Sequence, residues 1–283
     1  MAWAGVNSRR IRFFLLSMHL YPKLDLRRLL LLGALLVIGS TVIGTAWTRN
    51  WLGHREHGAS ALENLPPLVL WAWERPEDLR HLDSQQVAVA FLSRTIYLRG
   101  RETVVRPRFQ PLQLPPDVSL IAVVRIESDH KQLPSPDQRQ LDESAEAIVQ
   151  MASQPRILGV QIDFDATLSE REFYRALIRK IRFRLPEATA LSITALASWC
   201  LGDNWLESLP IDEAVPMLFR LGADANRFRA FVASGAPFPS NKCQHSVGVS
   251  TDEPLDLKQV TRRTYVFNPK PWSPTSISQL LKN

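Results

Sequence analysis

Cysteine and glycine are scarce in this sequence. There are two cysteines, Cys200 and Cys243, and 12 glycines in 283 residues. The cysteines form neither a Cys-x-x-Cys pair nor a Cys/His pattern with metal-ligand spacing. The first predicted strand ends in Trp71-Ala72-Trp73-Glu74, where a dinucleotide-binding fold would have a glycine-rich turn for the phosphate. We therefore predict no metal, nucleotide or flavin cofactor.

Most of the chain also has no excess of positive charge. The sequence holds 34 Lys and Arg against 28 Asp and Glu, and residues 1–50 contain seven of the former and one of the latter. The remainder therefore carries 27 of each and is formally neutral. A neutral domain offers no electrostatic surface for phosphate backbones, so we predict no nucleic-acid partner.

The positive charge of the N-terminus precedes an apolar run. We predict a cytoplasmic basic leader over residues 1–28 and a transmembrane anchor over 29–47, followed by a linker over 48–64. The positive-inside rule keeps the leader in the cytoplasm and exports residues 65–283. The small residues Gly44-Thr45-Ala46 also fit a cleavage site, so a cleaved signal peptide is the alternative.

From residue 65 onward the pattern alternates between strands and helices. A chain of this length with eight strands matches an α/β fold of the (β/α)8 TIM-type barrel class. A β-rich stretch at Ile96–Leu98 and Thr103–Val105 indicates an inserted hairpin. The predicted strands are Leu68–Trp73, Val87–Ser93, Leu120–Ile126, Ile157–Phe164, Ala190–Leu196, Glu213–Phe219, Ser246–Val249 and Thr264–Phe267. The predicted helices are Pro76–Leu82, Asp137–Ala152, Ser169–Leu185, Ala225–Val232 and Ser276–Leu281.

The fourth predicted strand carries the candidate catalytic residues. Alternation along Ile157–Phe164 directs Gln161, Asp163 and Asp165 to one face. The two carboxylates fall at the C-terminal end of the strand, where barrels of this class place their chemistry. Two acids this close repel, which raises the pKa of one and suits it for acid catalysis. The alternative is structural: Asp163 bonds inside the barrel, and Asp165 caps the helix near Ser169.

Aromatic and charged residues recur at the other predicted strand ends. Tryptophan rings stack well on sugars, so a carbohydrate-facing cleft is indicated, although tryptophans also cap barrel cores. The candidate substrate-binding tryptophans are Trp71, Trp73, Trp199 and Trp272. The additional polar candidates are Glu74, Arg125, Glu127 and Asp252. For Asp252, helix capping is the alternative.

The segment Leu158–Asp165 resembles the catalytic strand of family 18 glycoside hydrolases, the chitinase-like barrels. Their signature is Asp-Gly-x-Asp-x-Asp-x-Glu, which aligns Asp163 with the third Asp and Asp165 with the catalytic Glu. Gln161 then stands at the second Asp. Met217-Leu218-Phe219-Arg220 is similar to the Met-x-Tyr-Asp of that family. The resemblance implies that Asp165 is the proton donor and that Asp163 stabilises the reacting substrate. It also implies that the sugar site contains Gln161, Met217, Phe219 and Trp272.

The departures from that family are chemical. Asp165 is one methylene shorter than Glu, Phe219 has no hydroxyl, and Arg220 reverses a charge. The whole chain also resembles an uncharacterised family of bacterial envelope proteins. This second resemblance predicts a barrel that is anchored in the inner membrane and faces the periplasm. If the N-terminal segment is cleaved, the barrel is instead released into the periplasm. We expect a glycoside-hydrolase-like protein acting on an envelope or extracellular polysaccharide; the alternative is a catalytically degenerate barrel that binds glycan or acts as a scaffold.

The pairing of the cysteines is open at this point. An exported domain permits a disulfide, and the even count is compatible with one. The predicted strands place Cys200 and Cys243 at opposite ends of the sheet, which opposes a bond unless a loop folds back.

Overall fold

A computed structural model describes residues 61–135, 137–222, 225–255 and 263–282. Eleven strands are assigned among them. In chain order they are β1 Leu68–Ala72, β2 Glu77–Asp78, β3 Val87–Arg99, β4 Glu102–Pro107, β5 Leu112–Gln113, β6 Leu120–Ser128, β7 Ile157–Asp163, β8 Ala190–Leu196, β9 Glu213–Met217, β10 Ser246–Ser250 and β11 Arg263–Phe267.

Eight of these strands form a closed parallel barrel. Its neighbours run β1, β3, β6, β7, β8, β9, β10 and β11, and β11 returns to β1. On one side of β1, Leu70 is in register with Val89 of β3, and on the other side with Val266 of β11. The predicted eight-stranded parallel barrel is therefore confirmed, and all C-terminal strand ends meet at one rim.

The helical layer around the barrel is incomplete. Helices follow β6, β7, β8, β9 and β11 in the described part of the chain, whereas β1 and β3 lead into further β-structure. The helix after β6 begins behind Asp137, whose carboxylate accepts from the backbone N–H of Gln140 at 2.9 Å. The helices are Gln138–Ala152, Arg171–Arg184, Ala197–Gly202, Ala225–Ser234 and Pro274–Leu280.

The predicted helix over Pro76–Leu82 is wrong. The segment contains the short strand β2, which pairs with β5. Leu79 and Leu82 are buried, and their three-residue spacing suggested one face of a helix. The backbone instead bonds outward to residues 111–113, with the N–H of Leu79 donating to the carbonyl of Gln113 at 2.8 Å. A remote strand supplied the hydrogen bonds that a local helix needs.

The inserted hairpin is present. β3 continues beyond the barrel to Arg99 and pairs antiparallel with β4. Gly100 turns the chain with a φ of +49°, a conformation that L side chains rarely adopt. The hairpin extends the barrel wall beside the end of β6.

The two faces of each barrel strand pack differently. On β1, Val69 and Trp71 point into the barrel beside Ala88 and Ala90 of β3, while Leu70 packs outside. The small alanines leave room for the indole of Trp71 inside the barrel. The opposite faces of the strands pack under the helices in the largest apolar cluster of the described residues.

A polar network lies inside the barrel around Glu213, which is 1% exposed. Its carboxylate accepts hydrogen bonds from Arg263 Nη2 at 2.7 Å and from the Tyr265 hydroxyl at 2.6 Å. Ser192 and Ser246 add two more hydroxyl donors. Three hydroxyl donors and one paired guanidinium satisfy an acid that would otherwise be costly to bury.

No helix in the described ranges is both long and apolar enough to cross a membrane. The predicted leader over residues 1–28 and the anchor over 29–47 lie outside those ranges, as does most of the 48–64 linker. Residues 61–63, at the end of that linker, are helical.

The two cysteines form a disulfide, so the expectation of opposite positions is corrected. Cys200 lies in the short helix Ala197–Gly202, and Cys243 lies in the helical turn Asn241–Cys243. Both segments pack against β9, and the Cα atoms are 5.9 Å apart. Strand order alone did not show that the chain after β8 and the chain before β10 meet on the outside of the same strand.

We expect loss of this disulfide to destabilise the barrel. Replacing both cysteines by serine should lower the free energy of unfolding by about 2–4 kcal/mol, because the bond closes a loop between residues separated by 43 positions. Guanidinium unfolding measures the free energy of unfolding of three samples: the native protein, the native protein with reductant, and the double variant. Equal stability in all three samples would contradict the prediction.

Candidate functional site

A cleft crosses the C-terminal rim of the barrel. It consists of two cavities of about 450 Å³ and about 720 Å³ that share the lining side chains Arg125, Asp163 and Asp165. We call the first the aromatic arm, because Trp71, Trp73, Phe219 and Phe267 line it. We call the second the polar arm; Glu127, Ser128, His130, Leu133, Ser169 and Glu170 are among its lining residues. Asp163 and Asp165 are called the acid pair.

Asp163 is the buried member of the acid pair. It ends β7 and is 7% exposed. Its carboxylate accepts from the Thr194 hydroxyl at 2.7 Å and pairs with Arg125 Nη1 at 3.4 Å. The structural alternative for this residue, a hydrogen bond inside the barrel, is thus present. These two partners fix the orientation of the carboxylate.

Asp165 is the exposed member of the acid pair. It makes no hydrogen bond or ion pair with any residue of the described ranges, and it lines both arms. The alternative that Asp165 caps the following helix is wrong. Thr167 and Glu170 form that cap between themselves, with Glu170 accepting from the Thr167 N–H at 2.8 Å. The carboxylate of Asp165 is therefore available to a ligand.

Burial raises the pKa of both carboxyls in the acid pair. For Asp163, desolvation raises the pKa, Arg125 lowers it, and the neighbouring charge of Asp165 raises it further. For Asp165, partial desolvation by the cleft walls raises the pKa and Arg125 opposes the shift. Tyr174 is buried behind the pair, and its pKa is raised well above its usual value by burial and by both acids. Burial in the cleft therefore favours the protonated form of the carboxyls in the acid pair.

Arg125 lies where the two arms meet. Its guanidinium donates to Glu127 at 2.6 Å, pairs with Asp163, and lies 5.9 Å from the ring centroid of Trp73. The pKa of Arg125 is raised, because the neighbouring acids outweigh the effect of burial. Arg125 therefore stays charged and links the acid pair to the aromatic wall.

The aromatic arm is a wall of packed rings. Phe219 and Phe267 stack with an interplanar angle of 2°, and Trp73 meets Phe267 edge to face. The indole N–H of Trp71 donates to Gln161 Oε1 at 2.8 Å, which fixes the ring. Gly248 permits its position, since a Cβ there would lie 2.7 Å from Trp71 Cη2. Such a wall fits the apolar face of a sugar ring.

The polar arm is built by two loops. Glu170 accepts from the Ser128 hydroxyl and from the Thr167 N–H and hydroxyl. These hydrogen bonds connect the end of β6 to the turn that carries Asp165. They lower the pKa of Glu170 despite its desolvation, so this carboxylate is ionised beside the acid pair.

Several predicted substrate-binding residues lie away from the cleft. Gln161 is buried inside the barrel, where it also donates to Ser192. Trp199 is buried against Trp205 outside the barrel. Trp272 is buried as well, and its indole N–H donates to the carbonyl of Trp71 at 3.0 Å. By contrast, Trp71, Trp73, Met217 and Phe219 all line the aromatic arm.

The additional polar candidates take different positions. Arg125 and Glu127 line the polar arm. Glu74 accepts from the backbone N–H groups of residues 109 and 110 and so fixes a rim loop. Asp252 pairs with Arg220 at 2.7 Å, outside the lining of both arms. Arg220 lines the aromatic arm with a φ of +55°, a strained conformation for a residue other than glycine.

Sequence reasoning missed several lining residues, among them Thr194, Phe267 and Glu170. Thr194 continues the alternation of β8 toward the interior, and this pattern could have identified it as the partner of Asp163. Phe267 ends β11 on the same inward face as Tyr265. Among residues 61–282, within the described ranges, no group of three or more His, Cys, Asp or Glu side chains could hold a metal ion.

We expect the pH dependence of stability to report the raised pKa of Asp163. The folded state binds this proton more tightly than the unfolded chain, whose carboxyl has a pKa near 3.8. Protonation of Asp163 therefore adds to the free energy of unfolding. This contribution is complete below the unfolded pKa and is lost as the pH rises through the higher pKa of the folded state. Asp163→Asn should therefore gain stability relative to the native protein as the pH rises from 4 to 7. Urea unfolding at several pH values measures this, and a constant difference contradicts it.

The fold and the cleft define a class: a parallel eight-stranded α/β barrel with an acid pair between an aromatic and a polar arm at its C-terminal rim. Residues 117–219 match a family model described as a domain of unknown function, DUF3142. The matched span runs from just before β6 to just after β9 and includes Arg125 and the acid pair. No curated protein matches the chain.

Proposed function

We propose that this protein is a glycoside-hydrolase-like barrel that acts on an envelope or extracellular polysaccharide. The observation that carries the proposal is the exposed carboxyl of Asp165, which has a raised pKa, no partner among the described residues, and a wall of aromatic rings beside it. A carboxyl that holds its proton can act as a general acid, and aromatic rings bind sugars by stacking.

The chemistry assigns one role to each acid. The Asp165 carboxyl donates its proton to the glycosidic oxygen as the bond between that oxygen and the anomeric carbon breaks. Asp163, held by Arg125 and Thr194, stabilises the positive charge that develops at the anomeric carbon. A water molecule then adds to that carbon, and its proton returns to Asp165. The products are two shorter glycans, one with a new reducing end.

The resemblance to family 18 glycoside hydrolases supports the reaction class. Asp163 and Asp165 occupy the positions of the last two acids of that motif, and Met217 and Phe219 line the aromatic arm. Our proposed location is the bacterial inner membrane, with residues 29–47 as the anchor and the barrel in the periplasm. Release into the periplasm after cleavage is the alternative.

A second candidate function is glycan binding without catalysis. The ion pair between Arg125 and Asp163 and the absence of a hydroxyl at Phe219 favour it. In this case the aromatic arm still binds a sugar, while the acid pair no longer cleaves it.

One experiment separates the two functions. The purified full-length chain is incubated with a panel of β-linked polysaccharides, both neutral and amino-sugar polymers, beside Asp165→Asn. New reducing ends with the native protein alone support the hydrolase. Retention on one glycan by both proteins, without release, supports the binding barrel. Neither release nor retention on any member of the panel would remove both proposals.

We expect the cleft to discriminate against acidic polysaccharides. Glu127 and Glu170 line the polar arm, while Arg125 already faces two acids. A uronate polymer such as polygalacturonate should be retained at least about tenfold less than a neutral polymer, because like charges repel in a partly desolvated cleft. Affinity electrophoresis at low salt measures this. The difference should shrink in about 0.5 M salt, where charges are screened; equal retention at low salt contradicts the prediction.

A further inference from the structure

We infer that the polar arm is a second sugar subsite, so that the ligand is a glycan chain passing through both arms with its scissile linkage at Asp165. This inference rests on the proposed function and deepens it. It predicts recognition of an internal segment of a polysaccharide, and not of a terminal sugar alone.

The position of Asp165 is the first argument. This side chain lines both cavities, together with Asp163 and Arg125. A general acid must reach the oxygen that joins two sugar rings, so one ring lies on each side of it. With the acid at the junction of two arms, one ring occupies the aromatic arm and its neighbour occupies the polar arm.

The sizes of the arms are the second argument. Their volumes of about 450 Å³ and about 720 Å³ each fall within the range of roughly 300–1,000 Å³ that is usual for ligand pockets. A single sugar would fill one arm and leave the other without a ligand. The larger volume lies on the polar side, so at least one whole ring fits beyond the acid pair.

The walls of the polar arm are the third argument. They come from the loops after β6 and β7, whereas the aromatic arm uses the ends of β1, β8, β9 and β11. The Glu170 hydrogen bonds to Ser128 and Thr167 tie these two loops together. Leu133, 73% exposed, and the exposed His130 extend the wall away from Asp165. The polar arm thus has a built wall that continues past the acid pair.

The two arms offer different contacts. The accessible rings of the cleft line the aromatic arm, where Trp73, Phe219 and Phe267 are half-buried. Phe164, the aromatic residue lining the polar arm, is only 3% exposed. A sugar in the polar arm is therefore held by hydrogen bonds to carboxylates and hydroxyls, and the affinity that it adds depends on polar substituents of the ring.

Affinity as a function of chain length tests the inference. The probes are N-acetylglucosamine, glucose and their β-1,4-linked oligomers of two, four and six rings, titrated calorimetrically into full-length Asp165→Asn to prevent turnover. We expect affinity for one series to rise at least tenfold between one ring and two, when the second ring enters the polar arm. Adding Ser169→Trp, which fills the polar arm, should abolish this rise.

Two further variants show whether the gain of affinity with chain length depends on the polar arm or responds to any surface substitution. The double truncation His130→Ala with Leu133→Ala should reduce the gain from chain length, and Phe183→Ala, on an exposed helical surface away from the cleft, should not. Binding that does not depend on chain length, or a gain that survives Ser169→Trp, overturns the inference and leaves the proposed function intact. If no oligomer binds and the polysaccharide panel is also negative, the proposed function fails and the inference fails with it.

Discussion

Replacing Asp165 by asparagine should lower the proposed glycan hydrolysis by about 10²–10⁴-fold, the range that a general acid contributes. Asparagine keeps the shape of the side chain but has no proton to donate. The carboxylate makes no hydrogen bond within the described ranges, so the folded structure should tolerate the change. The loss should appear in kcat, because the proton is transferred in the transition state.

The pH dependence of the proposed hydrolysis provides an independent check. Since partial burial raises the pKa of Asp165, the acid remains protonated to a higher pH than an ordinary aspartic acid. Activity should fall as the pH rises through that pKa, and this limb should be missing from any residual activity of Asp165→Asn. The matched control is Asp142→Asn on the helix Gln138–Ala152, outside both arms. Retention of more than a tenth of native activity by Asp165→Asn would remove this residue from the mechanism.

Replacing Glu213 by alanine should lower the free energy of unfolding by about 3–5 kcal/mol, the cost of breaking a buried pair by removing one partner. Arg263 would lose its carboxylate partner at 2.7 Å, and the Tyr265 hydroxyl would lose its acceptor. Both side chains are buried inside the barrel, where water cannot easily replace the lost contacts.

Urea unfolding of Glu213→Ala measures this loss. Glu213→Gln keeps the shape and some of the hydrogen bonds, so it should cost less than the alanine variant. The control is Glu143→Ala, which breaks an exposed pair with Arg139 and should change stability little. If Glu213→Ala were as stable as Glu143→Ala, the network would not be a source of stability.

The fold was largely predictable because it depends on local patterns. Short apolar runs separated by helical patterns located all eight barrel strands, and helical periodicity located Gln138–Ala152 and Arg171–Arg184. The predicted helix over residues 76–82 was wrong because two buried leucines have the spacing of one helical face. The strand that actually pairs with this segment lies more than thirty residues away in the chain. Periodicity reports which side chains are buried, but not which backbone hydrogen bonds are made.

The site was predictable only in part. Strand-end logic placed Asp163, Asp165, Trp71 and Trp73 at one rim, and all four line the cleft. The same logic grouped Trp199 and Trp272 with them, although both are buried elsewhere. A residue beyond the end of a strand follows its loop, and no local rule fixes the direction of that loop.

The sequence by itself determined the parallel barrel, because eight strands alternate with helical patterns in a chain of this length. It also determined the rim that carries the acid pair, because the two acids end a strand, and the inward face of β7, because side chains alternate along a strand with a period of two. Only the tertiary structure decided that Cys200 and Cys243 meet and that the cleft has two arms. It also decided that Arg125 holds Asp163 while Asp165 has no partner in the part of the chain that the structure describes. These features depend on distances between residues far apart in the chain, and such distances are set when the barrel closes and its loops pack.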